Sequence, residues 1–209
     1  MKQDKETRNK LLDSARTEFR EKGYMKASLR NICKNAGLTT GALYFFFEGK
    51  EDLFEAVTHD VLQGIQMVMM VHYEEERKMA DEGLIFSPMM ADETDDIVEA
   101  RKILHHMYAH REDILLILTK SQGSKLEHIA DVFIAQTEQH FAMIAKQMQT
   151  VYPDKVIEPH FLHWLAHQII DAFIYAITHI EDEEQAIRFV EQNVTYMIAG
   201  WYGLFLKKD

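Results

Sequence analysis

The stretch AGLTTGALYFFFEGKEDL, residues 36–53, decides how this chain is read. Small and hydroxyl residues fill one turn, and a run of four aromatics fills the next. Thr39 is a good N-cap for a short helix containing Leu43, Phe46 and Phe47, and Gly49 breaks that helix. Just upstream, Ser28 caps another short helix bearing Leu29, Ile32, Cys33 and Ala36, which stops at Gly37. Two short helices joined by a turn at Gly37-Leu38 make a helix-turn-helix, whose second helix lies in a DNA major groove while the first braces it.

Working outward, residues 5–22 place Leu11, Leu12, Ala15 and Phe19 on one face and end at Gly23, an amphipathic helix with a glycine stop. A long helix begins near Lys50 and runs to about residue 78. Residues 81–96 read as a connection. Helical periodicity resumes over 97–110, 114–118, 125–150, 160–180 and 184–206, with breaks at 120–124 and 151–159. The expected fold is all-α: a three-helix head (1–50), joined by a long helix to an all-helical body (51–209).

Composition agrees. The chain has 209 residues, 47% of them apolar, with only 9 glycines and 3 prolines. It is long enough for one large domain or two small ones. Its one cysteine, Cys33, makes no internal disulfide, and a cytoplasmic location is expected. No signal peptide and no run long enough to span a membrane is visible. The net charge of −11 hides a split: residues 1–50 hold 11 Lys+Arg against 6 Asp+Glu, and the remainder holds 12 against 28. A basic head on an acidic body still attracts a polyanion locally, because charges act over about 8 Å in physiological salt.

The aromatic run divides into two faces. Leu43, Phe46 and Phe47 turn toward Phe19 and Ile32, whereas Tyr44 and Phe45 face outward. Gly41 leaves the backbone free to approach a phosphate. Thr39 and Thr40 offer hydroxyls to phosphates or base edges, and the Ala42 methyl suits a thymine methyl. Lys50 opens the next helix, where its charge and free N–H groups attract a phosphate. At these residues the chain strongly resembles the TetR (tetracycline-repressor) family of bacterial transcription regulators. The signature is Phe19-x-x-x-Gly23-Tyr24, Ser28, Ala36-Gly37-Leu38, Gly41-x-Leu43-Tyr44, Phe47 and Lys50-x-x-Leu53. The resemblance implies DNA contacts at Ser28, Thr39, Thr40, Gly41, Ala42, Tyr44, Phe45 and Lys50. Thr40 departs from the basic residue the family often has there, and Phe46 from a position that is often polar, so the resemblance does not carry over an operator sequence.

For the body, the resemblance implies a ligand-binding and dimerisation domain, so the expected function is a ligand-responsive regulator and not an enzyme. It would be a repressor that binds a near-palindromic double-stranded operator as a homodimer and is released by a mostly apolar small molecule. Met70, Tyr73, Tyr108, His110, Phe133, Thr137, Phe141 and His167 are the expected ligand residues. The last two helices are apolar over wide arcs and need partners on two sides. Ile170, Ile174, Ile177, Val194, Ile198 and Trp201 are the expected dimer contacts. Competing readings are a same-family regulator without an effector, and a helical-bundle enzyme or binding protein. A di-iron bundle wants Glu-x-x-His pairs, and no histidine here has Glu three residues before it. The faces His160/His163/His167 and His106/His110 have chelating spacing, but their acidic neighbours do not, and no metal or cofactor is expected. The methionines of residues 65–74 read mainly as core, and Glu74-Glu75-Glu76 as a solvated face.

Overall fold

Gly23 takes a backbone conformation that glycine adopts far more readily than other residues. Its φ of 72° interrupts α1 (Lys2–Lys26) where the sequence places a stop. In this computed structural model, which describes residues 2–82 and 93–206, every regular element is a helix and no strand occurs among the described residues. After α1 come α2 (Leu29–Asn35), α3 (Thr40–Phe46), α4 (Lys50–Asp81) and α5 (Glu93–Ala109). They are followed by α6 (Arg111–Lys120), α7 (Ile129–Val151), α8 (Pro159–His179) and α9 (Glu183–Leu206). Most of the expected connection at 81–96 lies outside the described residues.

The helices fall into two compact units, one of residues 1–64 with 110–129, the other of residues 65–109 with 130–209. This packing division differs from the functional boundary expected at residue 50. The first turns of α4 and all of α6 pack with the head, which the hydrophobic period alone does not disclose.

In the first unit the core gathers Leu11, Ala15 and Phe19 of α1 with Ile32, Leu43, Phe47, Leu53, Phe54 and Leu116. The Phe19 and Phe54 rings meet edge to face at 4.9 Å, and Tyr24 lies 5.1 Å from Phe54, a favoured aromatic geometry. Polar contacts then fix α6 on α1. Asp113, almost wholly buried, accepts from Arg20 at 2.9 Å and pairs with Arg16 at 3.3 Å. Arg20 also reaches Glu112, and Lys120 caps the Arg20 carbonyl. The segment after α6 is held by the Lys125 amide on Glu51 and the Lys125 ammonium on Glu55.

In the second unit, α5 packs against α8 and α9 around Ala100, Leu104, Ala176, Ala186, Val190 and Val194. The Tyr108 hydroxyl lies 3.0 Å from the Ala176 carbonyl and 2.8 Å from that of Ile180, sealing the C-terminal end of α8. Pro159 opens α8 at its first turn, where a missing N–H costs nothing. A smaller cluster joins Ile144 and Met148 of α7 to Phe205 of α9.

Asp113→Ala strands two guanidinium groups at a buried contact and should destabilise the first unit by about 2 kcal/mol. Glu112→Ala, at an exposed pair, should cost less than about 1 kcal/mol. Urea unfolding followed by circular dichroism compares the two, and equal losses would show that Asp113 does not brace α6.

Candidate nucleic-acid interface

Seven residues of α3 could not hold a helix unaided, since nucleation is costly. Two devices hold it. The Thr39 hydroxyl oxygen accepts from the Ala42 amide at 3.2 Å, and Leu43 and Phe47 drive into the core at 0% and 3% exposure. Upstream, Ser28 caps α2 by accepting from the Asn31 amide, and Gly37, with φ 68°, makes the turn between the helices. The sequence reading of both caps and of the turn matches this geometry.

The opposite face of α3 is open. Tyr44 is 60% exposed and Phe45 76%, with Phe45 meeting the half-buried Phe46 edge to face at 4.9 Å. Thr39, Thr40 and Gly41 are exposed beside them, and Ala42 is half-buried. A Cβ added to Gly41 would meet only the Thr39 hydroxyl oxygen, at 3.8 Å, so the fold itself does not require glycine there. Arg30 and Lys34 on α2 are exposed as well. Thr39 and Ser28 spend an acceptor on their caps and keep an O–H donor.

Lys50 behaves differently from the expectation of a free phosphate ligand. Its ammonium donates to the carbonyls of Met25 and Ala27, at 3.0 and 3.1 Å, and sits 4.7 Å from the centre of the Tyr24 ring. It closes the carbonyl end of α1, and burial lowers its pKa from the ordinary lysine value. One of its three N–H donors remains for a ligand.

The residues expected to bind a ligand are only partly gathered. Tyr73 and Thr137 share a hydroxyl hydrogen bond of 2.9 Å, and Phe141 lies one turn beyond Thr137 on α7. Burial pushes the Tyr73 phenol up to about 12. Tyr108 instead spends its hydroxyl on α8. His110 is exposed and belongs to the other unit, Met70 is exposed, Phe133 is half-buried, and His167 lies against His163 with ring centres 4.7 Å apart.

Of the expected dimer contacts, Ile177 and Val194 are corrected. Both are buried in the chain's own core, because the helical phase that presents Tyr175 and Tyr196 outward turns them inward. Ile170, Ile174, Ile198 and Trp201 are half-buried, and the exposed apolar groups on α8 and α9 are Trp164, Tyr175, Tyr196 and Leu204.

One cluster escaped the sequence reading. His72, Glu76 and Asp96 converge, and His140 joins them through Glu76. Burial opposes protonation of His72. The hydrogen bond to Asp96 and the charges of Glu76, Asp96 and Glu99 nonetheless raise its pKa above the ordinary histidine value. The available signal was His72-x-x-x-Glu76, one helical turn, hidden inside an acidic run that looked solvated.

Residues 11–57 match the family profile described as "Bacterial regulatory proteins, tetR family". The HTH-type transcriptional regulator UidR of Escherichia coli is 41% identical over 51 residues, which cover 24% of this chain and 26% of that protein. The HTH-type transcriptional regulator TtgR of Pseudomonas putida is 26% identical over 133 residues, covering 58% of this chain and 60% of TtgR. The chain thus matches about a quarter of the length of UidR and under two thirds of TtgR. Among solved structures, native NalD, the secondary repressor of the MexAB-OprM multidrug efflux pump in Pseudomonas aeruginosa, superimposes with a TM-score of 0.62 at 18% identity, covering 92% of this chain and 96% of NalD. At that identity the likeness is one of fold.

The two faces of α3 make separate demands on stability. Leu43→Ala should cost about 2–5 kcal/mol and Lys50→Ala about 1–2, whereas Tyr44→Ala and Phe45→Ala should stay within about 0.5 kcal/mol of the parent chain. Thermal melts separate these outcomes; a large loss with Phe45→Ala would mean that its ring is a core element.

Proposed function

We propose that this chain, whose residues 11–57 match the TetR-family profile, is a TetR-family transcriptional regulator that reads operator DNA with α3 and responds to a small molecule in its body. The observation that carries the reading is the outward face of α3. A two-turn helix, capped and anchored from behind, presents an aromatic pair, two threonines and a bare glycine backbone to solvent. Such a surface is poorly explained by folding and well matched to a groove edge, where hydroxyls and amides reach phosphates and apolar groups meet thymine methyls.

In this reading residues 1–50 bind DNA and residues 51–209 bind the effector and a second copy of the chain. The protein acts in the cytoplasm, where its operator lies, and catalyses nothing. Repression is favoured over activation because the structurally similar NalD is described as a repressor. The effector is mostly apolar and rests near Tyr73, Thr137 and Phe141, with α4 contributing residues to both units. An effector with a hundredfold preference for the DNA-incompetent state would supply about 2.7 kcal/mol, and by reciprocity operator DNA would weaken its binding by the same factor. The dimer forms through the exposed apolar side of α8 and α9.

A mobility-shift assay on the DNA upstream of the chain's own gene tests the assignment. Binding should favour a near-palindrome with half-sites about 34–36 Å apart or a multiple of that. Tyr44→Phe should weaken binding to all sequences alike, and Thr40→Ala should change which bases are preferred. No preference for any sequence over random DNA would overturn the proposal. Tyr196→Glu should shift the chain to monomer in sedimentation and weaken operator binding. A wild-type chain that is already monomeric at micromolar concentration would remove the dimer.

A further inference from the structure

We propose that His72, Glu76, Asp96 and His140 bind one divalent first-row transition-metal ion. His72 and Glu76 lie one turn apart on α4, Asp96 is near the start of α5, and His140 is on α7, so three helices of one unit aim at a common point. The His72 Nε2 atom is 2.9 Å from an Asp96 carboxylate oxygen and 3.5 Å from Glu76 Oε2. His140 Nε2 contacts that same Glu76 oxygen. One ligand atom from each of His72, Glu76 and Asp96 lies within 4.8 Å of the others. Metal–nitrogen and metal–oxygen bonds of about 2.0–2.2 Å place neighbouring ligand atoms about 3–3.5 Å apart, so small side-chain adjustments bring His72, Glu76 and Asp96 around one ion, and His140 joins from the Glu76 side.

Charge and hydrogen bonding point the same way. The single N–H that His72 Nε2 can carry faces two carboxylate oxygens and cannot fully satisfy both. Among the described residues no lysine or arginine pairs with Glu76 or Asp96; the nearby Lys102 is spent on Glu99. Two partly buried carboxylates converge here with two imidazoles and no lysine or arginine among the described residues, and a divalent ion balances their charge. The site is also braced. The Tyr73 ring stacks on His140 at 3.9 Å and 8°, and its hydroxyl is held by Thr137, which fixes the plane of the imidazole. Two imidazoles with two carboxylates suit zinc, cobalt or nickel better than calcium or magnesium.

The test uses the full chain, freed of metal with a chelator and then titrated with cobalt(II) while visible absorption is followed, with zinc titrated by calorimetry. One ion per chain is expected, with a melting temperature raised by zinc. His72→Ala and His140→Ala should each weaken binding on the order of 100-fold. His163→Ala should change it less than about twofold, since His163 pairs with Glu138 on a separate surface. Because His140 is buried, Asp96→Asn is measured beside it, with circular dichroism confirming the fold of each variant. Absence of binding at micromolar metal, or affinity equal to the parent chain's in the His72→Ala and Asp96→Asn chains, would overturn the site. A loss confined to His163→Ala would also overturn it, assigning the ion to the other histidine pair. No DNA enters this measurement, so its failure is distinct from failure of the regulator reading.

Discussion

Leu43 has no exposed surface, and the head depends on that burial. A helix of seven residues gains too little from its own hydrogen bonds to repay nucleation, so α3 exists because one side of it is packed. Burying a leucine or phenylalanine side chain is worth about 1.5–3 kcal/mol, and a threonine cap adds about 1. Together these fix α3 firmly enough that its other side need not stabilise anything. Tyr44 and Phe45 are therefore free to serve a ligand. Rigid presentation matters here, because a recognition surface that had to order itself on DNA would lose binding energy to conformational entropy.

The same constraint reaches further along the chain than the head's own helices. Phe54, at the start of α4, packs on Phe19, and α6 is tied to α1 through Asp113. The first unit is thus built from two stretches of sequence separated by the whole of α5. Lys50 shows how a residue can serve structure first: its ammonium closes the end of α1, and only a remaining donor is available outward. In the second unit the polar groups play a comparable part, with Tyr108 capping α8 and Tyr73 supporting His140.

Much of this was legible in the sequence. The glycine stops at Gly23 and Gly37, the caps at Ser28 and Thr39, and the split of the aromatic run are local features, and local chemistry determines them. What was not legible depends on partners distant in sequence. Periodicity says that α6 buries one face, not that the face belongs with α1. The wide apolar arcs of α8 and α9 show that each helix needs two neighbours, not which side is the chain's own core, so periodicity alone does not reveal that Ile177 and Val194 turn inward. Glu76 looked like one of three solvated acids; only the folded chain turns it toward two histidines while Glu74 pairs with Arg77. Met67 and Met70 went the other way, apolar residues that the fold leaves exposed.

In the proposed reading, α3 meets DNA with its exposed side while its buried side holds it in place. Photocrosslinking tests it most directly. A benzophenone amino acid is placed at Phe45 in one chain and at the exposed Tyr175 in another, and each is irradiated with upstream operator DNA. The expected result is a covalent protein–DNA adduct from position 45 that specific unlabelled operator competes away, and none from position 175. Strong, competable crosslinking from 175 with none from 45 would contradict it.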